Sequence, residues 1–261
     1  MDFAGQSALV TGGAGGLGGA TARRLVELGM HVVVFEPDGG RACAFAAELG
    51  NATGAAGDHN DERSVLAAID LAKGAGKFSV NVNAAGVSVM APATTTADGI
   101  PHDMALFRQL IDLHLMGPFN VSRLCSAAMA SNEPDGDGQR GLIVNTASTA
   151  AFDGQARQVG YSAGKAAIVA MTLSMARDLA DIGVRAMAIA PGPIWTPRLS
   201  GAPEALKAAL ISNVAFPKRF GQPEEYAQLV EAFLRTPFLN GQTVRLDGAM
   251  STPLTNLMGK P

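Results

Sequence analysis

The sequence has 261 residues, 48% of them hydrophobic, and its 20 basic and 23 acidic side chains give a formal net charge of −3 at pH 7. This length and apolar content are enough for one large α/β domain or two small ones. The balanced charge offers no field for a polyanion, and no apolar run approaches membrane-spanning length. We therefore expect neither a nucleic-acid partner nor a membrane partner.

Cysteine and histidine are sparse and show no ligand spacing. Cys43 and Cys125 are far apart and match no metal or redox motif, so we expect two buried thiols in a reducing compartment. The four histidines likewise predict no metal site. The first predicted strand begins near Ser7, which leaves no room for a leader in this sequence. We expect a cytoplasmic protein, or a mitochondrial matrix protein if a leader has been removed.

The first predicted strand, residues 7–10, breaks into a glycine-rich turn that leads into a helix. This turn contains Gly12, Gly16, Leu17 and Gly18. Glycine lets the backbone approach a pyrophosphate, and the N-terminus of the following helix offers unpaired N–H groups to that anion. A flexible loop is the alternative, but the flanking strand and helix favour a dinucleotide site.

The second predicted strand, residues 31–35, ends at Glu36, at the distance from the glycines where a dinucleotide-binding unit places an acid on the adenosine ribose. A carboxylate accepts hydrogen bonds from both ribose hydroxyls and repels a 2′-phosphate. No arginine or lysine lies between Glu36 and Arg41 to compensate. The position predicts NAD rather than NADP; a solvated strand end is the alternative.

The third and fourth predicted strands, residues 52–57 and 78–82, are each followed by candidate cofactor residues. Asp58 follows the third strand, and its carboxylate could meet the adenine edge. The fourth strand ends in the small residues of the run Asn83-Ala84-Ala85-Gly86, which let a flat cofactor lie against the backbone. The Asn83 amide could tie neighbouring strands together.

A long helix, about residues 103–129, and a polar surface loop, residues 131–140, precede the fifth strand, residues 142–144. Ser148 leaves the carboxyl end of that strand, and the next helix carries Tyr161 and Lys165 on one face. A phenol titrates near pH 10 and is a poor base at neutral pH unless positive charge favours the phenolate.

Lys165 could supply that charge, and the hydroxyl of Ser148 can reach the same point above the sheet, where ligands of open α/β folds bind. A surface tyrosine and lysine with no joint role is the alternative explanation of the spacing.

The sixth strand, residues 184–190, ends at Pro191 and Gly192. Residues 193–222 show no regular pattern and predict a mobile cover over the site, with Trp195 and Phe216 available for apolar contact. A helix over 223–234 and a strand over 243–246 follow. Seven strands alternating with helices predict an α/β fold: one Rossmann-type, doubly wound parallel sheet with helices on both faces, in a single domain spanning 1–261.

These motifs, in this order, resemble the short-chain dehydrogenase/reductase family across nearly the whole chain. The resemblance implies hydride transfer between a nicotinamide and a carbinol carbon. Tyr161 would be the acid/base, Lys165 would hold the ribose and lower the pKa of the tyrosine, and Ser148 would hydrogen-bond the substrate oxygen. The implied cofactor residues are Gly12, Gly16, Leu17, Gly18, Glu36, Asp58, Asn83, Ala85, Gly86, Tyr161, Lys165, Pro191, Gly192 and Thr196.

Three further stretches, residues 132–141, 176–180 and 238–241, are similar to a branch of this family that acts on 3-hydroxyacyl-CoA thioesters. That likeness implies NAD, a homotetramer and reversible oxidation of the 3-hydroxy group. Steroids, branched hydroxyacyl thioesters and other secondary alcohols are alternative substrates. Lys207, Lys218 and Arg219 could hold the CoA phosphates or be solvated surface charges. A dinucleotide-binding scaffold for protein assembly is the alternative from another class, which the intact Ser148, Tyr161 and Lys165 disfavour.

One position departs from the family. His114 stands where the family has an asparagine that supports a water-linked proton path to the lysine. If the asparagine acts through its backbone carbonyl, histidine preserves the path. If the side chain matters, His114 relays protons itself, and the rate would depend on pH near about 6 to 7. A packed histidine with no catalytic part is the alternative.

Overall fold

The computed structural model describes residues 3–87 and 91–250. One sheet contains seven strands, all parallel, in the order β3-β2-β1-β4-β5-β6-β7. The strands are β1 (Gln6–Thr11), β2 (His31–Glu36), β3 (Ala52–Ala56), β4 (Lys77–Asn83), β5 (Gly141–Thr146), β6 (Val184–Pro191) and β7 (Thr243–Leu246). The predicted doubly wound, seven-stranded parallel sheet is confirmed.

Helices cover both faces of this sheet. The helices of the described chain are α1 (Gly16–Glu27), α2 (Gly39–Leu49), α3 (Glu62–Ala75), α4 (Met104–Ile111), α5 (Gly117–Met129), α6 (Val159–Asp178), α7 (Pro197–Ser200), α8 (Glu204–Ser212) and α9 (Pro223–Arg235). One core lies between the sheet and α1, α2 and α9, and the other lies between the sheet and α3, α5 and α6. Successive strand residues alternate between these cores, so Val32 and Val34 enter the first and Val33 enters the second.

Three local predictions differ from the structure. The long predicted helix contains a π-helical segment, Asp112–Met116, between α4 and α5. The segment over 193–222, predicted as irregular, contains α7 and α8. Cys43 is exposed rather than buried, because it lies on the outer side of α2, whereas Cys125 is buried as predicted; both are free thiols.

Within the described part of the chain, no helix is both long enough and apolar enough to cross a membrane. The same residues contain no group of three or more histidine, cysteine or carboxylate side chains placed to hold a metal ion.

Candidate active site

The glycine turn between β1 and α1 depends on close backbone contact. Gly12 has a φ of 64°, and a Cβ there would lie 2.8 Å from Ala85 Cα. A Cβ on Gly18 would overlap the carbonyl oxygen of Gly12. The N-cap residue of α1, Gly15, has no side chain with which to cap the helix, so the first-turn N–H groups can bind an anion. This cradle fits the pyrophosphate of a dinucleotide.

Glu36 ends β2 beside this turn and is 6% exposed. Its Oε1 accepts a hydrogen bond from the Ala14 N–H at 2.9 Å. The guanidinium of Arg41 donates to the Ala14 carbonyl at 2.8 Å, so both backbone groups of Ala14 are held by side chains. Arg41 was missed as a site residue because it lies in the helix after Glu36, and only the fold brings it back to the turn.

A cavity of about 2170 Å³ lies along the carboxyl ends of the strands. This volume exceeds the roughly 300–1,000 Å³ of common small-molecule pockets, so it can hold a dinucleotide together with a substrate. Apart from Asn83, every predicted site residue lines it: Gly12, Gly16, Leu17, Gly18, Glu36, Asp58, Ala85, Gly86, His114, Ser148, Tyr161, Lys165, Pro191, Gly192 and Thr196.

Asn83 instead lies under the cavity floor and is 2% exposed. Its amide nitrogen donates to Asn145 Oδ1 at 2.8 Å and to Ser122 Oγ at 3.0 Å. The amide of Asn81 donates to the Leu9 carbonyl at 3.3 Å. The prediction that Asn83 ties neighbouring strands is confirmed, and the backbone after it forms the floor.

Ser148, Tyr161 and Lys165 meet at the wall of this cavity. Lys165 is 4% exposed, and its Nζ donates to the Thr146 carbonyl at 2.6 Å. The same Nζ lies 5.9 Å from the centre of the Tyr161 ring. Burial lowers the pKa of Lys165 to about 8. The β5 end and the first turns of α6 therefore bring a hydroxyl, a phenol and an ammonium together.

The resemblance implied a lowered pKa for Tyr161, but in this structure the pKa is raised. Burial disfavours the phenolate, and a hydrogen bond with Ser148 only partly opposes that effect. The physical reason is that Lys165 directs its ammonium at the Thr146 carbonyl rather than at the phenol. Burial favours the neutral forms of both side chains: it raises the pKa of Tyr161 and lowers that of Lys165 to about 8, so the two pKa values move apart.

His114 lines the same cavity and is completely buried. Its ring packs edge-on against Tyr161, with ring centres 4.8 Å apart. Burial, assisted by the charge of Lys165 and partly opposed by the Val87 backbone, lowers the pKa of His114 to about 3. The expectation that titration of His114 would give a rate dependence near pH 6 to 7 is therefore wrong, because the imidazole is already neutral there.

The cover presents apolar side chains to the cavity, but not the predicted ones. Leu199, Leu206 and Leu210 line it, whereas neither Trp195 nor Phe216 does. Trp195 packs against Phe220 at 5.6 Å between ring centres, and Phe216 is 81% exposed.

Three cationic side chains of the cover, residues 193–222, already have protein partners. Lys207 Nζ pairs with Glu204 at 2.8 Å, and Arg219 donates to both carboxylate oxygens of Glu225 at 2.8 Å. Lys218 donates to the Ser212 carbonyl at 3.2 Å.

The buried ammonium of Lys165 predicts a specific pH dependence of stability. Its pKa falls from 10.5 to about 8 on folding, so the unfolded state binds the extra proton between these values. The free energy of unfolding should rise by about 2–3 kcal/mol over this pH range, and this gain should be absent in Lys165→Met. Urea unfolding of the unmodified protein and of Lys165→Met, at pH 7.5 and at pH 10, measures this change in the free energy of unfolding. Equal pH dependence in the two proteins would contradict a depressed pKa.

Comparison with known proteins gives the class to which this site belongs. A family model described as short chain dehydrogenase matches residues 6–206. The chain belongs to the short-chain dehydrogenase family and is an NAD-dependent oxidoreductase of secondary alcohols. This agrees with the glycine cradle, the carboxylate at Glu36 and the group formed by Ser148, Tyr161 and Lys165.

Particular relatives are similar over nearly the full length. Human 3-hydroxyacyl-CoA dehydrogenase type-2 is 49% identical over 248 residues, covering 94% of this chain and 95% of its own. Ipsdienol dehydrogenase of Ips pini is 33% identical over 246 residues, covering 93% of this chain and 95% of its own. The crystal structure of 3-hydroxyacyl-CoA dehydrogenase type-2 from Mycobacterium avium has 42% identity and a TM-score of 0.93, covering 95% of this chain and 97% of that chain.

Proposed function

We propose that the protein reversibly oxidises 3-hydroxyacyl-CoA to 3-ketoacyl-CoA with NAD(H). The observation that carries the proposal is the convergence of Ser148, Tyr161 and Lys165 on a cavity that begins at the glycine cradle. The substrate class is supported by the relatives named 3-hydroxyacyl-CoA dehydrogenase type-2, with 49% and 42% identity.

The proposed roles follow from position. Bound NAD would supply the hydride acceptor. The Ser148 hydroxyl would hydrogen-bond the reacting oxygen of the substrate, and Tyr161 would take the proton from it. Lys165, held by the Thr146 carbonyl at 2.6 Å, would keep a positive charge beside the phenol as the proton arrives. Glu36 and the glycine cradle would fix the adenosine end of the cofactor.

The cover supports an apolar substrate chain. Leu199, Leu206 and Leu210 offer a row of aliphatic side chains to the cavity, which suits an acyl chain. Because Lys207 and Arg219 are already paired with Glu204 and Glu225, a CoA phosphate would have to compete with those carboxylates.

The same apolar row also favours a hydroxysteroid or a branched hydroxyacyl thioester as an alternative substrate. The scaffold alternative has less support, since a protein without catalysis has no use for the three grouped side chains. We further propose a homotetramer, which light scattering tests against the 26.7 kDa chain mass. Residence in the cytoplasm, or in the mitochondrial matrix after removal of a leader, is a proposal that cell fractionation tests.

The direct test is the loss of NADH absorbance with acetoacetyl-CoA, measured beside NADPH and beside a ketosteroid that lacks CoA. We expect turnover with NADH and the thioester, and weak turnover with NADPH because Glu36 repels a 2′-phosphate. Turnover of the ketosteroid alone would reject the acyl-CoA substrate. Equal use of NADPH would contradict the role of Glu36.

A further inference from the structure

Two buried imidazoles at the cavity have no role in the chemistry above. His114 is completely buried, and neither ring nitrogen makes a hydrogen bond of normal geometry within the described residues, although the Val87 backbone is close enough to act on the ring. His59, on the loop after β3, is 8% exposed and lines the same cavity. Buried polar groups are nearly always satisfied, so an unpaired imidazole beside a cavity points to water as the missing partner.

The two rings lie along one path from Lys165. A Cβ placed on Gly86 would be 3.2 Å from the His114 ring and 3.8 Å from Lys165 Nζ. The ring and the ammonium are thus at most about 7 Å apart, a gap that one or two waters span. His59 packs directly against Gly117, one helical turn after His114.

A proton must leave this region in every oxidative turnover. In the proposed oxidation, bound NAD would supply the hydride acceptor, and the O–H proton of the alcohol would go to Tyr161. Tyr161 must lose that proton before the next cycle, yet Lys165 is 4% exposed and His114, which packs against Tyr161, is completely buried. A defined route to water is therefore needed.

We propose that His114 and His59 carry this proton from Lys165 to the water of the cavity. Lys165 passes one proton through water to a ring nitrogen of His114 and regains one from Tyr161. The other ring nitrogen of His114 releases its proton towards His59, and His59 releases one to bulk water. One proton leaves per alcohol oxidised, and Tyr161 and Lys165 return to their starting states.

A neutral imidazole has one N–H donor and one acceptor nitrogen, so it can take up a proton on one side as it releases one on the other. The low pKa of His114, about 3, keeps it in that neutral form. Lys165 acts on both rings, Asp58 acts on His59, and His59 acts on His114, whose ring also contacts Tyr161. Burial lowers the pKa of His59 too, and the nearby Asp58 carboxylate partly opposes this.

The inference rests on the secondary-alcohol oxidation of the proposed function but not on the acyl-CoA substrate, so any alcohol that reduces NAD serves in its test. The central variant is His59→Phe, which keeps a ring against Gly117 and removes both nitrogens. His59→Gln keeps a polar side chain there. The matched control is His31→Gln, since His31 lies at the start of β2 and pairs with Asn51 and Thr53.

Stopped-flow single turnovers in weak buffer would follow NADH by absorbance and the released proton by a pH indicator. In the unmodified protein and in His31→Gln, we expect the two signals to rise together. In His59→Phe, proton release should lag NADH formation about tenfold or more, since a positioned proton carrier contributes on the order of 10²–10⁴ in rate. Added imidazole should remove the lag, and NADH affinity, measured by fluorescence, should stay unchanged.

Signals that still rise together in His59→Phe would overturn the proposal. So would a lag that imidazole does not shorten, because that result indicates a structural effect of the ring. His59→Gln separates the loss of proton transfer from the loss of a polar side chain, since an amide fills the site but cannot release and accept protons as imidazole does. A protein that oxidises another alcohol but no hydroxyacyl thioester would reject the proposed substrate and leave this test fully applicable.

Discussion

Tyr161→Phe is expected to lower alcohol oxidation by about 10³-fold or more while NADH binding persists. The substitution removes only the hydroxyl that exchanges a proton with the substrate, and acid–base catalysis by a positioned side chain contributes on the order of 10²–10⁴. The ring can keep its edge-on contact with His114, whose centre is 4.8 Å away. Turnover rates and a fluorescence titration with NADH measure the two effects separately.

Tyr226 provides the matched control, because it is the second of two tyrosines in the chain. It is fully buried in α9, and its hydroxyl hydrogen-bonds Thr146 Oγ1 at 2.8 Å. Tyr226→Phe should cost about 1 kcal/mol of stability through that lost bond and retain most of the activity. Near-normal activity in Tyr161→Phe would refute the acid/base assignment.

Gly18→Ala is expected to weaken NADH binding at least about tenfold and to lower stability by about 1–3 kcal/mol, as overpacking does. The new methyl group would overlap the Gly12 carbonyl, so the turn and the start of α1 must separate. Separation moves the N–H groups that would bind the pyrophosphate. Calorimetric titration with NADH and thermal unfolding measure the two effects.

Gly74→Ala is the corresponding control in the last turn of a helix. Gly74 lies in α3, and no atom is within 4 Å of a Cβ placed there. Alanine is favoured over glycine in a helix by about 0.5–1 kcal/mol, so this variant should become slightly more stable and bind NADH normally. A Gly18→Ala protein with unchanged NADH affinity would show that the turn does not form the cofactor cradle.

Much of the fold is encoded in local pattern and could be predicted. The central strands are buried on both faces and read as continuous apolar runs, such as the valines of β2. Glycines such as Gly12, Gly57 and Gly192 mark several of the points where the chain leaves the sheet. Even β3, with only Ala, Thr and Gly, lies where its faint pattern placed it.

The remaining features depend on contacts between distant segments. The π-helical segment has a composition that an α-helix also accepts, so nothing local distinguishes it. The helices α7 and α8 follow a proline-rich stretch, and proline in a sequence indicates a break in regular structure. His59 and Arg41 reach the cavity only because β2, β3 and the glycine turn are neighbours in the sheet, and single residues of that kind carry no periodic signal.

The pKa values are a further quantity that sequence cannot provide. The imidazole of His114 and the ammonium of Lys165 would titrate normally in water, and burial is the main cause of the shift of each pKa in the fold. The role of a histidine in a motif thus depends on the atoms packed around it.

The amides beneath the cavity have a consequence for how the chain folds. Asn83 and Asn145 are direct partners in the register of β4 and β5, and the Asn83 amide is joined to the Asn145 side chain at 2.8 Å. A slip of one residue would turn the strand over and leave these amides facing apolar neighbours. Each unpaired amide would cost about 1–3 kcal/mol, so misaligned pairings of the two central strands are strongly disfavoured. The polar pair therefore acts as a register lock, a form of specificity that valines alone would not provide.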